Sequence, residues 1–273
     1  MITNNDMLLA FGLTLIAGLS TGIGSLIALL SKKTDTRFLS ASLGLSAGVM
    51  IYVSFMELMP ESVHLLSGIY SEREASVYML LAFFIGIGLI ALIDFLVPED
   101  ENPHEIHTSQ GNDKKLKRTG VMMALAIGIH NFPEGLATFT SALTDLEIAI
   151  PIVFAIAIHN IPEGVAVSVP IYHSTGSRRK AFWYSFLSGM AEPIGALIGI
   201  LFLIPFWTPS INALLLALVS GIMVYISFDE LLPSTEKYGH HHWGITGVIS
   251  GMAIMAVSLL LIYYKESKYL ILC

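Results

Sequence analysis

The sequence predicts an all-α membrane protein of eight transmembrane helices, built as a single domain over residues 1–273, and three observations predict it. The first is composition: 54% of residues are hydrophobic, 13% are charged, and the mean hydropathy is +0.72. Soluble domains are about a quarter charged. A soluble globule this apolar would expose large adhesive patches. The second is that eight runs reach the roughly 20 apolar residues a spanning helix needs. The third is that polar residues and prolines recur in register from run to run. A net charge of −7 excludes the basic footprint of a nucleic-acid binder. The single cysteine, Cys273, excludes an intramolecular disulfide and any Cys-based metal or redox motif.

Met7–Leu30 is the first run; it follows Asp6 with no Lys or Arg before it and is too long for a cleaved signal peptide. The polar stretch Ser31–Arg37 separates it from Phe38–Met59, which closes on Glu57, with Pro60 and Glu61 just beyond. After Pro60–Ser76 comes Val77–Val97, with Asp94 near its interfacial end. The longest connection, Pro98–Gly120, is acidic and then basic, and reads as a solvated loop. Val121–Ala142 and Ile148–Ile171 follow, then Ala181–Ile204 with an internal Glu192-Pro193. After Pro205–Ser210, Ile211–Leu232 closes on Asp229 and Glu230. Beyond the triplet His240–His242, Trp243–Tyr264 is the last run. Eleven of the 14 Lys and Arg fall in the connections after runs 1, 3, 5 and 7, and three on the opposite side. The positive-inside bias then places both termini outside the cytoplasm, in a cell (inner or plasma) membrane.

Two repeats organise the chain. Gly48–Pro60 aligns with Gly221–Pro233 and matches at 8 of 13 positions, including Tyr, Ser, Phe, Glu and Pro. Gly18, Ile23, Gly24 and Leu26 face Gly189, Ile194, Gly195 and Leu197. Runs 1–3 thus recur as runs 6–8, and because equivalent runs are five positions apart, an odd number, the two copies run in opposite directions, a transporter signature. The middle runs share a sharper repeat: His-Asn-x-Pro-Glu-Gly occurs at His130–Gly135 and again at His159–Gly164.

These sextets put His130, Glu134, His159 and Glu163 near mid-membrane, and Glu192 joins them from the sixth run. Each ionisable side chain at that depth costs roughly 2.5–3.5 kcal/mol on insertion scales. No Lys or Arg lies inside any run, so the simplest compensating charge is a cation. His and Glu at i, i+4 share a helix face, and Asn131 and Asn160 lie close to the same stripe. Pro133 and Pro162 withhold the N–H that the carbonyls of Ile129 and Ile158 would receive. Imidazole, carboxylate and carboxamide without thiolate suit Zn²⁺, Fe²⁺, Mn²⁺, Co²⁺ or Cd²⁺. Structural polar contacts or a proton relay are the alternatives.

The doubled sextet, eight runs, outside termini and a Glu-Pro in the sixth run resemble the ZIP (Zrt/Irt-like) divalent-metal transporters, closest to the bacterial ZupT-type branch. The resemblance implies a 3+2+3 helix bundle with a binuclear centre between the fourth and fifth helices. By motif, one position takes His130, Glu134, His159 and Glu163; the second takes Asn131, Asn160 and Glu192 and shares Glu134 and Glu163. The loop after the third run holds only His104 and His107, where many members carry a His-rich run.

Glu57 and Glu61 on the outer side, and Asp229 and Glu230 on the cytoplasmic side, read as mouth and exit carboxylates of a pathway or as ordinary interfacial charge. Small-xxx-small pairs (Gly18/Gly22, Gly44/Gly48, Gly195/Gly199, Gly247/Gly251) permit either internal packing or a homodimer. The expected function is uptake of divalent transition metals, zinc foremost, by alternating access around a midplane site, with the metal as cargo and no cofactor. A gated channel using the same site is the alternative. An intramembrane metallopeptidase would need His-Glu-x-x-His, and that string is absent. The orientation predicts that a cysteine at Thr108 reacts only with reagents reaching the cytoplasm and one at Thr144 only with external reagents; the reverse pattern would invert the topology.

Overall fold

The computed structural model describes residues 3–30, 36–96, 113–144, 146–203, 206, 208–237 and 239–272. Most of the Pro98–Gly120 connection, with His104 and His107, lies outside the described residues, as do Cys273 and the His130 side chain. The described residues are helical almost throughout, with no strand among them. The helices are α1 (Asn4–Leu30), α2 (Thr36–Val53), α3 (Met59–Ser67), α4 (Glu72–Leu96), α5 (Asp113–Thr144) and α6 (Leu146–Thr175). They continue as α7 (Arg178–Gly189), α8 (Ala191–Ile198), α9 (Pro209–Ile226), α10 (Leu232–Lys237) and α11 (His241–Leu272). Among the described residues, six helical stretches are long and apolar enough to cross a membrane: 4–30, 36–67, 72–95, 178–202, 209–236 and 241–260. α5 and α6, which carry the sextets, are helices of 32 and 30 residues.

The chain does not leave its helix at Pro60. α2 passes through one wide turn, Ser54–Leu58, directly into α3. There the Met59 N–H reaches back to the Ser54 carbonyl, five residues earlier, and the Ser220 hydroxyl donates to the same oxygen at 3.2 Å. Such a widened turn lets a helix absorb a residue that lacks an N–H. The equivalent turn Ser227–Leu231 precedes Pro233, with the Leu232 N–H on the Ser227 carbonyl, and joins α9 to α10. The sixth run is broken instead: α7 stops before Met190 (φ −68°, ψ −9°), and α8 restarts with Glu192 and Pro193 in its first turn.

Helices pack backbone to backbone where glycine removes the side chain. A Cβ on Gly24 would lie 1.8 Å from the Ile161 carbonyl oxygen, and one on Gly195, its repeat partner, 2.2 Å from that of Phe132. Gly164 meets the Thr21 carbonyl as Gly135 meets that of Glu192. Gly48 meets Val248 as Gly221 meets Phe83. Each contact in one repeat thus has a counterpart in the other. Gly44, Gly48, Gly247 and Gly251 are all consumed between α2 and α11, so these pairs serve internal packing.

The close approaches divide the helices into two groups. α1, α5, α6, α7 and α8 pack on one another; α2, α3, α4, α9, α10 and α11 do likewise. The groups meet chiefly where α2 lies on α6 and α9 on α5. Across that meeting Leu39 packs with Val165 and Val169, and none of the described glycines makes its close approach there. Gly24→Ala should therefore cost about 1–3 kcal/mol or more through overpacking. Gly12→Ala, whose Cβ meets nothing within 4 Å, should gain about 0.5–1 kcal/mol. Thermal unfolding in detergent reads both; equal shifts for the two variants would refute the packing argument.

Candidate metal centre

The two sextets lie on neighbouring helices, α5 and α6, and α8 completes the group from the side. His159 Nε2 stands 2.9 Å from Glu134 Oε1, with both side chains buried. One copy's imidazole therefore meets the other copy's carboxylate, across the helix pair. Glu163 is fully buried and within electrostatic reach of His159, Glu134 and Glu230. Glu192 is equally buried and within reach of Glu134 and Glu163. The structure thus gathers Glu134, His159, Glu163 and Glu192. Among the described residues, no three His, Cys, Asp or Glu side chains converge as a ready metal cage. The His130 backbone sits on α5 one turn before Glu134, where the sextet puts it.

The asparagines are held by their amide nitrogens. Asn131 Nδ2 donates to the Ser188 carbonyl at 3.3 Å, and Asn160 Nδ2 to the Ala17 carbonyl at 3.1 Å. Asn160 Nδ2 also donates to Glu192 Oε1. The other ends of these groups, Asn131 Oδ1, Asn160 Oδ1 and Glu192 Oε2, are buried with no hydrogen-bond partner among the described residues. A buried acceptor left without a donor costs about 1–3 kcal/mol, more when charged. Three such oxygens lie on adjoining helices, beside the carboxyl groups of Glu134 and Glu163.

The outlying carboxylates take different places. Glu57 and Glu230 sit in the two wide turns and are buried at 5% and 2% exposure, inside continuous helices rather than at their ends. Glu61 and Asp229 are half-buried, with His64 Nδ1 3.8 Å from Glu61. Asp94 accepts from the Tyr225 hydroxyl at 3.4 Å. His240 pairs with Thr36 at 3.0 Å and His241 with Glu236 at 3.1 Å, while His242 is exposed. Sequence reasoning passed over Thr21, which is fully buried beside Gly189. The signal was available: the alignment of Gly18 with Gly189 puts Thr21 opposite Glu192.

Comparison with known proteins bears on this arrangement directly. A family model described as ZIP Zinc transporter matches residues 97–259, which include both sextets and Glu192. A zinc transporter ZupT of Nitratidesulfovibrio vulgaris is 58% identical over 275 residues, covering 96% of this chain and 99% of its own. One from Streptococcus mutans is 62% identical over 255 residues, covering 92% and 97%. One from Clostridium perfringens is 54% identical over 276 residues, covering 94% and 97%. With the doubled sextet on paired helices and relatives this similar along nearly the whole length, the chain belongs to the ZIP zinc transporter family.

Proposed function

We propose that this protein imports divalent transition-metal ions, zinc first among them, into the cytoplasm, carrying the ion at the α5–α6 site by alternating access. The observation that carries this reading is the set of three buried acceptor oxygens without donors, next to carboxylates and an imidazole and with no Lys or Arg in the spanning runs. A hydrogen-bond donor would satisfy one of them; a cation satisfies all three together. The relatives' name supports zinc as cargo. Iron, manganese, cobalt and cadmium fit the same nitrogen and oxygen ligands.

Two positions share the site. His130, His159, Glu134 and Glu163 form one, whose imidazoles suit zinc. Asn131, Asn160 and Glu192 form the other, with Glu134 and Glu163 bridging. The amide contacts to Ala17 and Ser188 support this assignment, because they turn the carboxamide oxygens away from the carbonyls that hold the nitrogens. Glu57 and Glu61 on one side, and Asp229 and Glu230 on the other, lead the cation to and from the site. Eight spans in a 3+2+3 order, with both termini outside the cytoplasm of the inner or plasma membrane, are the topology that goes with this reading.

The two helix groups supply the moving parts. Every metal residue lies on α5, α6 or α8, and these are joined to α1 and α7 through glycine contacts too close to slide. The interhelical hydrogen bonds at Asn131, Asn160 and Ser185 also stay inside that group, as those at Ser40, Ser62 and Ser220 stay inside the other. The site-bearing group moves as a body against the second one, across the side-chain seam between α2 and α6 and between α5 and α9. Cargo is released when that movement turns the site from one membrane face to the other.

Uptake into proteoliposomes, run separately for zinc, iron, manganese and cadmium, tests the function. Saturation without single-channel currents is expected, and channel currents would favour a gated pore. Glu134→Ala removes charge from both positions at once and should abolish uptake. Asn131→Ala removes one neutral oxygen and should leave partial uptake with altered metal preference. If Asn131→Ala is as inactive as Glu134→Ala, or Glu134→Ala still binds a full metal complement, the shared-carboxylate assignment is wrong.

A further inference from the structure

Thr21 is fully buried on α1, and its hydroxyl oxygen has no hydrogen-bond partner among the described residues. A helical threonine ordinarily returns its hydroxyl to a carbonyl on the preceding turn. Thr14, two turns earlier on the same helix, does so and donates to the Ala10 carbonyl at 3.0 Å. For Thr21 the corresponding acceptor is the Ala17 carbonyl. That oxygen already receives the Asn160 amide at 3.1 Å and the Ser20 hydroxyl at 2.6 Å, besides its helical N–H. The acceptor Thr21 would ordinarily use is thus already occupied, by the Ser20 hydroxyl and by the Asn160 amide.

The repeat says what the Thr21 hydroxyl faces. Asn160 on Ala17 in one copy mirrors Asn131 on Ser188 in the other. A Cβ on Gly18 would lie 3.5 Å from Glu192 Cβ; one on Gly189 would lie 2.7 Å from Thr21 Cβ and 2.8 Å from Thr21 Oγ1. The Thr21 and Glu192 carbonyls meet Gly164 and Gly135 in the same way. At each correspondence Thr21 stands where Glu192 stands in the other copy. α1 and the α7–α8 rod also run antiparallel, because Gly18 meets Glu192 and Pro193 whereas Gly22 meets Phe186. Side chains tilt toward the start of their helix, so Thr21 and Glu192 lean toward each other, with the Asn160 amide between Ala17 and Glu192.

We propose that Thr21 is a metal ligand: its hydroxyl oxygen faces the asparagine-containing cation position from α1, opposite Glu192. The inference rests on the two-position reading above and adds to it a neutral oxygen donor from a helix that supplies no other. Glu192 brings the charge on one side; Thr21 brings an uncharged oxygen, with its proton retained, on the other. The position is thereby asymmetric in charge although its scaffold is symmetric.

The test is zinc titration of the purified protein by calorimetry, with bound metal counted after dialysis. Thr21→Val keeps the shape and removes the oxygen; it should weaken the asparagine-containing position on the order of tenfold, as loss of a metal-orienting partner typically does. Thr21→Ser should stay within about twofold of wild type, because the oxygen is retained. Thr21→Ala, which only removes atoms, repeats the test where the valine variant fails to fold. A valine or alanine variant that titrates like wild type overturns the proposal, as does a serine variant as weak as valine. Glu192→Gln and Asn160→Ala run beside them: if both bind like wild type, the two-position assignment fails, and if only Thr21→Val does, this inference alone fails.

Discussion

Buried carboxyl groups in spanning runs that hold no Lys or Arg are the constraint around which this molecule is arranged. Glu134, Glu163 and Glu192 are all buried, in a chain whose spanning runs hold no Lys or Arg. At insertion costs of roughly 2.5–3.5 kcal/mol for each such side chain, the fold tolerates them only if something else supplies positive charge. His159 partly answers Glu134, and the Asn160 amide answers one oxygen of Glu192. What remains is a set of buried acceptors, Asn131 Oδ1, Asn160 Oδ1 and Glu192 Oε2, with no hydrogen-bond partner among the described residues.

Holding these groups still requires a rigid mount, and glycine provides it. Helices whose carbonyls approach a neighbour's Cα this closely cannot drift in register, because any residue larger than glycine would collide. Backbone approaches and side-chain packing are therefore found on different seams. Within the site-bearing group the described glycines make backbone-on-backbone approaches; between the groups none of them does, and apolar side chains such as Leu39, Val165 and Val169 meet there.

The sextets, their shared helix face and the carboxylate of Glu192 were legible in the sequence because costly polar residues recur at fixed spacing inside apolar runs. The repeat was legible for the same reason. What remained hidden depended on distant partners. Pro60 and Pro233 read as helix ends, yet each follows a wide turn, and the Ser54 carbonyl in the first is met by Ser220 from another helix. The break at Met190 looked like continuous apolar helix. The grouping was hidden most deeply: the repeats bind runs in sequence order, whereas packing takes α1 out of its own copy and gives it to α5 and α6. Thr21 escaped notice because a threonine in an apolar helix is unremarkable until its usual acceptor is found occupied.

The widened turn at Ser54–Leu58 does more than accommodate a proline. An inserted residue rotates everything downstream by about 100° relative to the helix before it. A straight rod would present the same stripe along its whole length; this one changes stripes halfway. Up to Val53 it lies on α11 and α6, and from Met59 onward it lies on α9 and α4. The Ser227–Leu231 turn does the same for the second copy, which leaves α4 and α5 for α2 and α11. Deleting a single residue from either turn would thus rephase half a rod while leaving its composition almost untouched. Chain length at these two points carries as much structural information as the residues themselves.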